Sequence, residues 1–102
     1  MIDNLKWSKF SLSQQLGHIG SEISRARHWE ENGDTTSRNK ALERALELLD
    51  LTLEDRRWQL RLKEIVRLRE VICDWLSQQK SYDVPPFVIE EYCTAFALAG
   101  NS

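Results

Sequence analysis

Apolar residues recur along most of this chain at the three- and four-residue spacing of amphipathic helices. The first stripe begins at a capping box formed by Ser11 and Gln14. Its members are Leu12, Leu16, Ile19, Ile23 and Ala26. A wider stripe runs over residues 41–53, and a third over residues 58–76. The pattern therefore predicts helices over residues 11–32, 36–53 and 55–79.

The residues between these stripes are those that end and begin helices. Gly33 suits the close of the first helix, and Gly100 suits the close of a fourth helix over 86–99 that begins at Pro86. Residues 81–86 are predicted to form a loop, and residues 1–10 an N-terminal extension. We predict a single all-α domain over 1–102, an antiparallel bundle of three long helices with a shorter C-terminal helix covering one end or side.

Composition narrows the functional classes. Hydrophobic residues make up 41% of the chain and it contains four Trp, which indicates a folded domain. The formal net charge of -2 gives no overall attraction to nucleic acid or to an anionic membrane. No apolar run is long enough to span a bilayer and no secretory signal is visible, so we expect a cytoplasmic protein without a membrane partner. Cys73 and Cys93 are solitary and are predicted to be core thiols.

Two arginines, Arg61 and Arg69, fall inside the apolar stripe of the third predicted helix. A buried guanidinium keeps its charge and needs a partner. Each side chain can snorkel to a carboxylate such as Glu22, join a buried ion network, or form an anion site between helices. A polar pocket is possible around the candidate binding residues, Glu22, Arg25, Arg61 and Arg69. A small-molecule or catalytic pocket there is the least favoured function.

The sequence of the same helix also predicts a basic patch. Its further members are Arg56, Arg57, Lys63 and Arg67. An acidic run over 43–55 precedes it, so two antiparallel helices can neutralise each other. The alternative is nucleic-acid or phosphate-ligand binding, with Trp58 as a stacking surface.

A small-residue strip lies beside the first apolar stripe. It comprises Gly17, Gly20, Ser21 and Ser24. Glycine inside a helix permits a close approach by a neighbouring backbone, and packing within the bundle is the interpretation we favour over a partner helix or a ligand.

No pattern identifies catalysis. His18 and His28 are too far apart for the i, i+4 spacing of a helical metal site, and neither has a cysteine beside it. We find no nucleophile arrangement and no phosphate loop, so we name no catalytic residue, metal or cofactor, and an enzyme is the less favoured class.

Three segments carry a resemblance to known proteins: Ile19–Ala26, Ala41–Thr52 and Arg61–Val71. They resemble a family of small bacterial helical-bundle proteins that has no established activity, which implies a bacterial origin and a compact bundle. Ala26, Trp29, Gly33, Asp34 and Ala45 are also similar to the pattern of a single tetratricopeptide-like helical hairpin.

These observations favour a non-enzymatic protein-interaction module. The small-residue strip or the basic third helix would contact a protein partner or a second copy of the chain. Nucleic acid is the alternative partner.

Overall fold

Five α-helices and one short 3-10 segment make up the described part of the chain. The computed structural model describes residues 4–78 and 85–99, with the backbone alone for Asn4 and for residues 96–99. The helices are α1 (Asn4–Trp7), α2 (Leu12–Glu31), α3 (Thr35–Leu53), α4 (Leu62–Ser77) and α5 (Pro86–Ala99), with the 3-10 segment at Arg56–Arg61. The described residues form no strand, so the predicted all-α class is confirmed.

The beginnings of α2 and α3 are fixed by side chains that satisfy free backbone N–H groups. The Gln14 N–H donates to Ser11 Oγ at 3.2 Å, and the Ser11 N–H donates to Gln14 Oε1 at 2.8 Å, which confirms the capping box. Gly33 closes the turn after α2 with a φ of 75°. Asp34 then accepts a hydrogen bond from the Ser37 N–H at 3.0 Å and begins α3.

The prediction of one continuous helix over 55–79 is wrong. The backbone is non-helical at Trp58 (φ −106°), residues 56–61 form a 3-10 segment, and α4 begins only at Leu62. Next to this break, the Arg57 guanidinium donates to the Ser8 and Phe10 carbonyls at 2.7 and 3.1 Å. At its other end, α4 stops where Gln78 adopts a left-handed conformation (φ 59°). The predicted end near Gln79, most of the loop over 81–86 and the closing Gly100 lie outside the described residues.

The predicted N-terminal extension contains α1, which is fastened to the bundle by a buried polar chain. Trp7 Nε1 donates to Thr52 Oγ1 at 3.0 Å, and Thr52 Oγ1 lies 3.0 Å from Gln15 Oε1. The Gln15 amide nitrogen donates to the Trp7 carbonyl at 3.0 Å. All three residues are buried, so the polar chain joins α1, α2 and α3 inside the core.

Helix α2 lies at the centre of the bundle and packs against both α3 and α5. Gly20 lies against Cys93 and Arg27 pairs with Glu90, so α2 and α5 run antiparallel. Helix α5 thus lies along the side of α2, while α4 packs on α3 and has few contacts with α5. None of the described helices combines the length and apolar character needed to cross a membrane.

Candidate functional site

Two of the four predicted binding residues form an ion pair on α2. Glu22 is buried, and its carboxylate accepts from Arg25 on the same helix and from Arg44 Nε on α3 at 2.9 Å. Arg25 is exposed. This arrangement ties α2 to α3 across their interface and satisfies the buried carboxylate.

The other two predicted binding residues have different acceptors. Arg61 is exposed on the 3-10 segment and donates to Glu64 Oε2 at 3.0 Å, so it belongs to no buried ion network. Arg69 is half-buried and donates to Asp50 Oδ1 at 2.6 Å, which is the predicted snorkelling geometry with a different carboxylate. The three arginines of the predicted site therefore donate to three different carboxylates, those of Glu22, Glu64 and Asp50.

The arginine that the structure does bury is Arg38, on the first turns of α3. Its side chain is 4% exposed and donates to Glu30 Oε1 at 3.0 Å and to Asn39 Oδ1 at 2.8 Å. Glu30 Oε1 also accepts from Trp75 Nε1 at 3.0 Å, so this cluster joins α2, α3 and α4. Sequence reasoning missed Arg38, although it lies one turn before Ala41 and Leu42 and so continues their apolar stripe.

The predicted basic patch is divided between two parts of the surface. Arg57 is held by Asp55, at 2.6 Å between Nη2 and Oδ2, and this hydrogen bond lowers the pKa of Asp55. The Arg57 guanidinium also lies 4.5 Å above the Trp58 ring, so it occupies a face that a nucleobase would need for stacking. Arg56 is exposed near them, whereas Lys63 and Arg67 lie on α4.

Lys63 and Arg67 border an apolar groove between α4 and α5, which we call the α4/α5 groove. It encloses about 430 Å³. Its apolar lining consists of Leu68, Val71, Val88, Ile89 and Tyr92. Val88 and Tyr92 are 39% and 40% exposed, so the groove is open to solvent. It exists because α4 and α5 pack on different neighbours and leave a space between themselves.

The apolar surface continues across α4. A shallower hollow on that side is lined by Leu62 and Val66, which are 42% and 37% exposed, together with Glu70. Lys63 and Arg67 line both hollows and so form the ridge between them. Sequence reasoning missed the α4/α5 groove, because a residue pattern marks which positions are apolar and not which neighbour leaves them uncovered.

Among the described residues, α4 supplies the charged lining of the α4/α5 groove. These residues are Lys63, Glu64 and Arg67, and the Glu64 carboxylate accepts a hydrogen bond from Arg61. Burial raises the pKa of Tyr92, and the Glu64 carboxylate adds to that shift, so the phenol stays neutral at physiological pH. On α5, Glu90 and Glu91 line a separate hollow beside Arg27.

Within the small-residue strip, Gly20 is buried inside the bundle, whereas Ser21 and Ser24 are exposed. A Cβ added to Gly20 would lie 3.1 Å from the Cys93 Cβ, so the missing side chain allows α5 to approach α2 closely. This contact supports the favoured interpretation of the strip at Gly20. Ser21 donates to the Gly17 carbonyl at 3.2 Å, a bond within α2 itself.

The histidines and cysteines of the described residues lie apart from one another and differ in burial. No group of three His, Cys, Asp or Glu side chains in ranges 4–78 and 85–99 is placed to hold a metal ion. The His18 ring packs beside those of Trp7 and Phe10, with centroids 5.8 and 4.9 Å away. Cys93 is buried as predicted, and its burial raises the pKa of the thiol to about 12, whereas Cys73 is only half-buried.

Comparison of the chain with protein-family models, with curated proteins and with solved structures gives no match.

Proposed function

We propose that this protein is a non-enzymatic interaction module that binds an apolar helix of a protein partner in the α4/α5 groove. The observation that carries the proposal is the groove itself, which combines an aliphatic and aromatic lining with side chains of Val88 and Tyr92 that are 39% and 40% exposed. A groove between two helices is a recurrent binding site for the apolar face of a third helix. Apolar surface left exposed beside a polar edge commonly marks such a contact.

The dimensions of the groove favour a helix over a small compact ligand. Along α4 the lining runs from Lys63 to Val71, a distance of about 12 Å at 1.5 Å per residue. That length accommodates about two turns of a partner helix. The exposed side chains of Val88 and Tyr92 leave one long side of the groove uncovered, whereas small-molecule sites enclose most of their ligand.

The proposal sets the module in a bacterial cytoplasm, where the free thiols of Cys73 and Cys93 would stay reduced. In this proposal, ion pairs with a structural role contain all four candidate binding residues, Glu22, Arg25, Arg61 and Arg69. Each is joined to a carboxylate or a guanidinium of this chain, as buried and surface arginines in helical bundles often are.

A pair of matched variants tests the proposal. Val88→Glu places a carboxylate in the groove, and Phe87→Glu makes the same change at the adjacent position, where the 48%-exposed side chain lines neither hollow on α4. Both new carboxylates lie in the first turn of α5, where the helix dipole favours them, so the fold should tolerate each. Equal far-UV circular dichroism of the two variants would verify that.

The tagged protein and both variants would then be used to capture partners from lysate of the source organism, with and without nuclease. We expect a stoichiometric protein, resistant to nuclease, that the wild type and Phe87→Glu retain and Val88→Glu loses. If the wild type and both variants retained the partner equally, the contact would lie outside the groove and the proposal would be refuted. Recovery that depends on nucleic acid would favour the alternative, phosphate binding by the basic residues.

A further inference from the structure

We propose that residues 56–61 are a conformational switch. They form a 3-10 segment while Arg57 holds the end of α1, and they join α4 as an α-helix when that hold is released. The proposal goes beyond the groove, because it concerns how the docking of α1 and the length of α4 depend on each other. It is carried by the composition of the segment, by its observed geometry and by the contacts of Arg57.

The sequence of the segment favours an α-helix. Its six residues are RRWQLR, which include no Gly, Pro or β-branched residue. Arginine, leucine and glutamine are among the better helix formers. Trp58, Leu62 and Ile65 also follow one another at four- and three-residue spacing, so the apolar stripe of α4 continues back into the segment. Nothing in these residues themselves requires the α-helix to begin as late as Leu62.

The described chain nevertheless holds these six residues as a 3-10 helix, with a non-helical backbone at Trp58. Runs of 3-10 helix longer than three or four residues are uncommon, because their hydrogen bonds are poorly aligned, and such a stretch next to an α-helix often marks a hinge. None of the six residues is buried, and Leu60 is fully exposed. No deeply buried side chain of the segment therefore fixes the 3-10 form.

The indole of Trp58 shows that this form leaves a polar group unsatisfied. Trp58 Nε1 is shielded from solvent, and it has no hydrogen-bond acceptor among the described residues. Buried donors usually have a partner, because an unpaired one costs free energy. In a helix continuous with α4, Trp58 would lie two turns before Ile65 and on the same side of the helix. The change in backbone would thus move the ring out of the position in which its N–H is unpaired.

Arg57 makes the contacts that oppose this change. Its Nη2 donates to the carbonyls of Ser8 and Phe10 at 2.7 and 3.1 Å and to Asp55 Oδ2 at 2.6 Å. The two carbonyls follow α1 directly, where a basic side chain can satisfy carbonyls that a helix end leaves free. Six residues rise about 12 Å in a 3-10 helix and about 9 Å in an α-helix. Rewinding would therefore shorten the segment and carry the guanidinium away from these carbonyls.

The docked α1 and the 3-10 form consequently support each other. Release of Arg57 would both weaken the attachment of α1 and lengthen α4 by up to six residues. Coupling of this kind is reciprocal, so a ligand that bound the extended α4 would loosen α1, and displacement of α1 would extend α4. Two packings of one short segment are a common basis for such a switch.

NMR of the isotope-labelled full-length protein would test the proposal with Arg57→Met. The Arg57 side chain is 46% exposed, so its replacement should leave the core intact. In the wild type, NOEs over residues 56–61 should join each Hα to the amide proton two residues on, as in a 3-10 helix. In Arg57→Met they should join it to the amide proton four residues on and continue into α4, as in an α-helix. The Phe10 amide, bonded to the Trp7 carbonyl at 3.1 Å, should exchange about tenfold faster.

The matched control is Arg56→Met, which makes the same change at the adjacent exposed residue and should keep the wild-type NOEs and exchange rate. A 3-10 pattern that persisted in Arg57→Met would overturn the switch, and so would the loss of both helical patterns over residues 56–61. An α-helical pattern with unchanged exchange at Phe10 would overturn the coupling to α1. If Arg57→Met did not fold, Arg57→Lys, which keeps the charge and loses the planar fork, should show both patterns in exchange, and a pure 3-10 pattern there would overturn the switch.

Discussion

The hydroxyl group of Thr52 offers the sharpest test of how this bundle is held together. Thr52 is fully buried and lies 3.0 Å from both Trp7 Nε1 and Gln15 Oε1. The substitution Thr52→Val preserves the shape of the side chain and removes both interactions. It leaves the Trp7 indole N–H and the Gln15 carbonyl oxygen without partners inside the core.

The expected loss follows from the number of groups left unpaired. Each buried polar group that loses its partner costs about 1–3 kcal/mol. The Gln15 amide nitrogen remains bound to the Trp7 carbonyl at 3.0 Å, so the side chain is held and its oxygen has little freedom to find a new donor. We therefore expect Thr52→Val to lower the free energy of unfolding by about 2–6 kcal/mol, and each kcal/mol corresponds to about 4–8 °C in Tm.

Urea unfolding followed by tryptophan fluorescence and far-UV circular dichroism would measure the loss. Thr52→Ser keeps the hydroxyl and loses one methyl group, so it should cost about 1 kcal/mol. Thr94→Val makes the same chemical change at an exposed site on α5 and should stay within about 0.5 kcal/mol of the wild type. If Thr52→Val were also within about 0.5 kcal/mol, the buried polar chain would not be what fastens α1.

Two further predictions concern the arginines and the thiols. Arg38→Met should lower the free energy of unfolding by about 1–3 kcal/mol, because Glu30 and Asn39 lose their buried donor, whereas Arg69→Met removes a half-exposed pair and should cost less than about 1 kcal/mol. A larger loss for Arg69→Met in urea unfolding would contradict this ranking. At about pH 8, a thiol reagent should modify only Cys73 in the folded chain, because Cys93 is buried. In urea it should modify both cysteines. Modification of both cysteines in the native state would refute the burial of Cys93. Since the pKa of Cys93 rises from 9.0 to about 12 on folding, the unfolded chain releases that proton first, and stability should decline as the pH rises across this range in thermal melts.

Helical periodicity predicted α2 and α3 well because their apolar stripes are long and begin at side-chain caps. Its main error arose at the 3-10 segment, where the pattern from Trp58 was treated as one straight helix. Beside the interruption, Arg57 contacts the carbonyls of Ser8 and Phe10, which are distant from it in the sequence. Hydrophobic periodicity describes residues along one helix and does not predict contacts between residues that are distant in the sequence.

The candidate site was harder to predict than the fold for a related reason. Whether an apolar residue is covered depends on which helices meet, and the pattern of α4 does not state that α5 will pack on α2 instead. The sequence did place Lys63 and Arg67 in a basic patch. It did not reveal that they border an apolar groove, because Val88 and Tyr92 come from a helix about 20 residues further along the chain.

The close approach at Gly20 has a consequence for where the α4/α5 groove can exist. Among the described residues, each wall of the groove packs mainly on a helix outside it, α4 on α3 and α5 on α2. Its width is therefore determined at two interfaces that lie outside it, and one of them depends on a glycine that does not touch the groove. An excised fragment containing only α4 and α5 would carry every lining residue and still lack the groove.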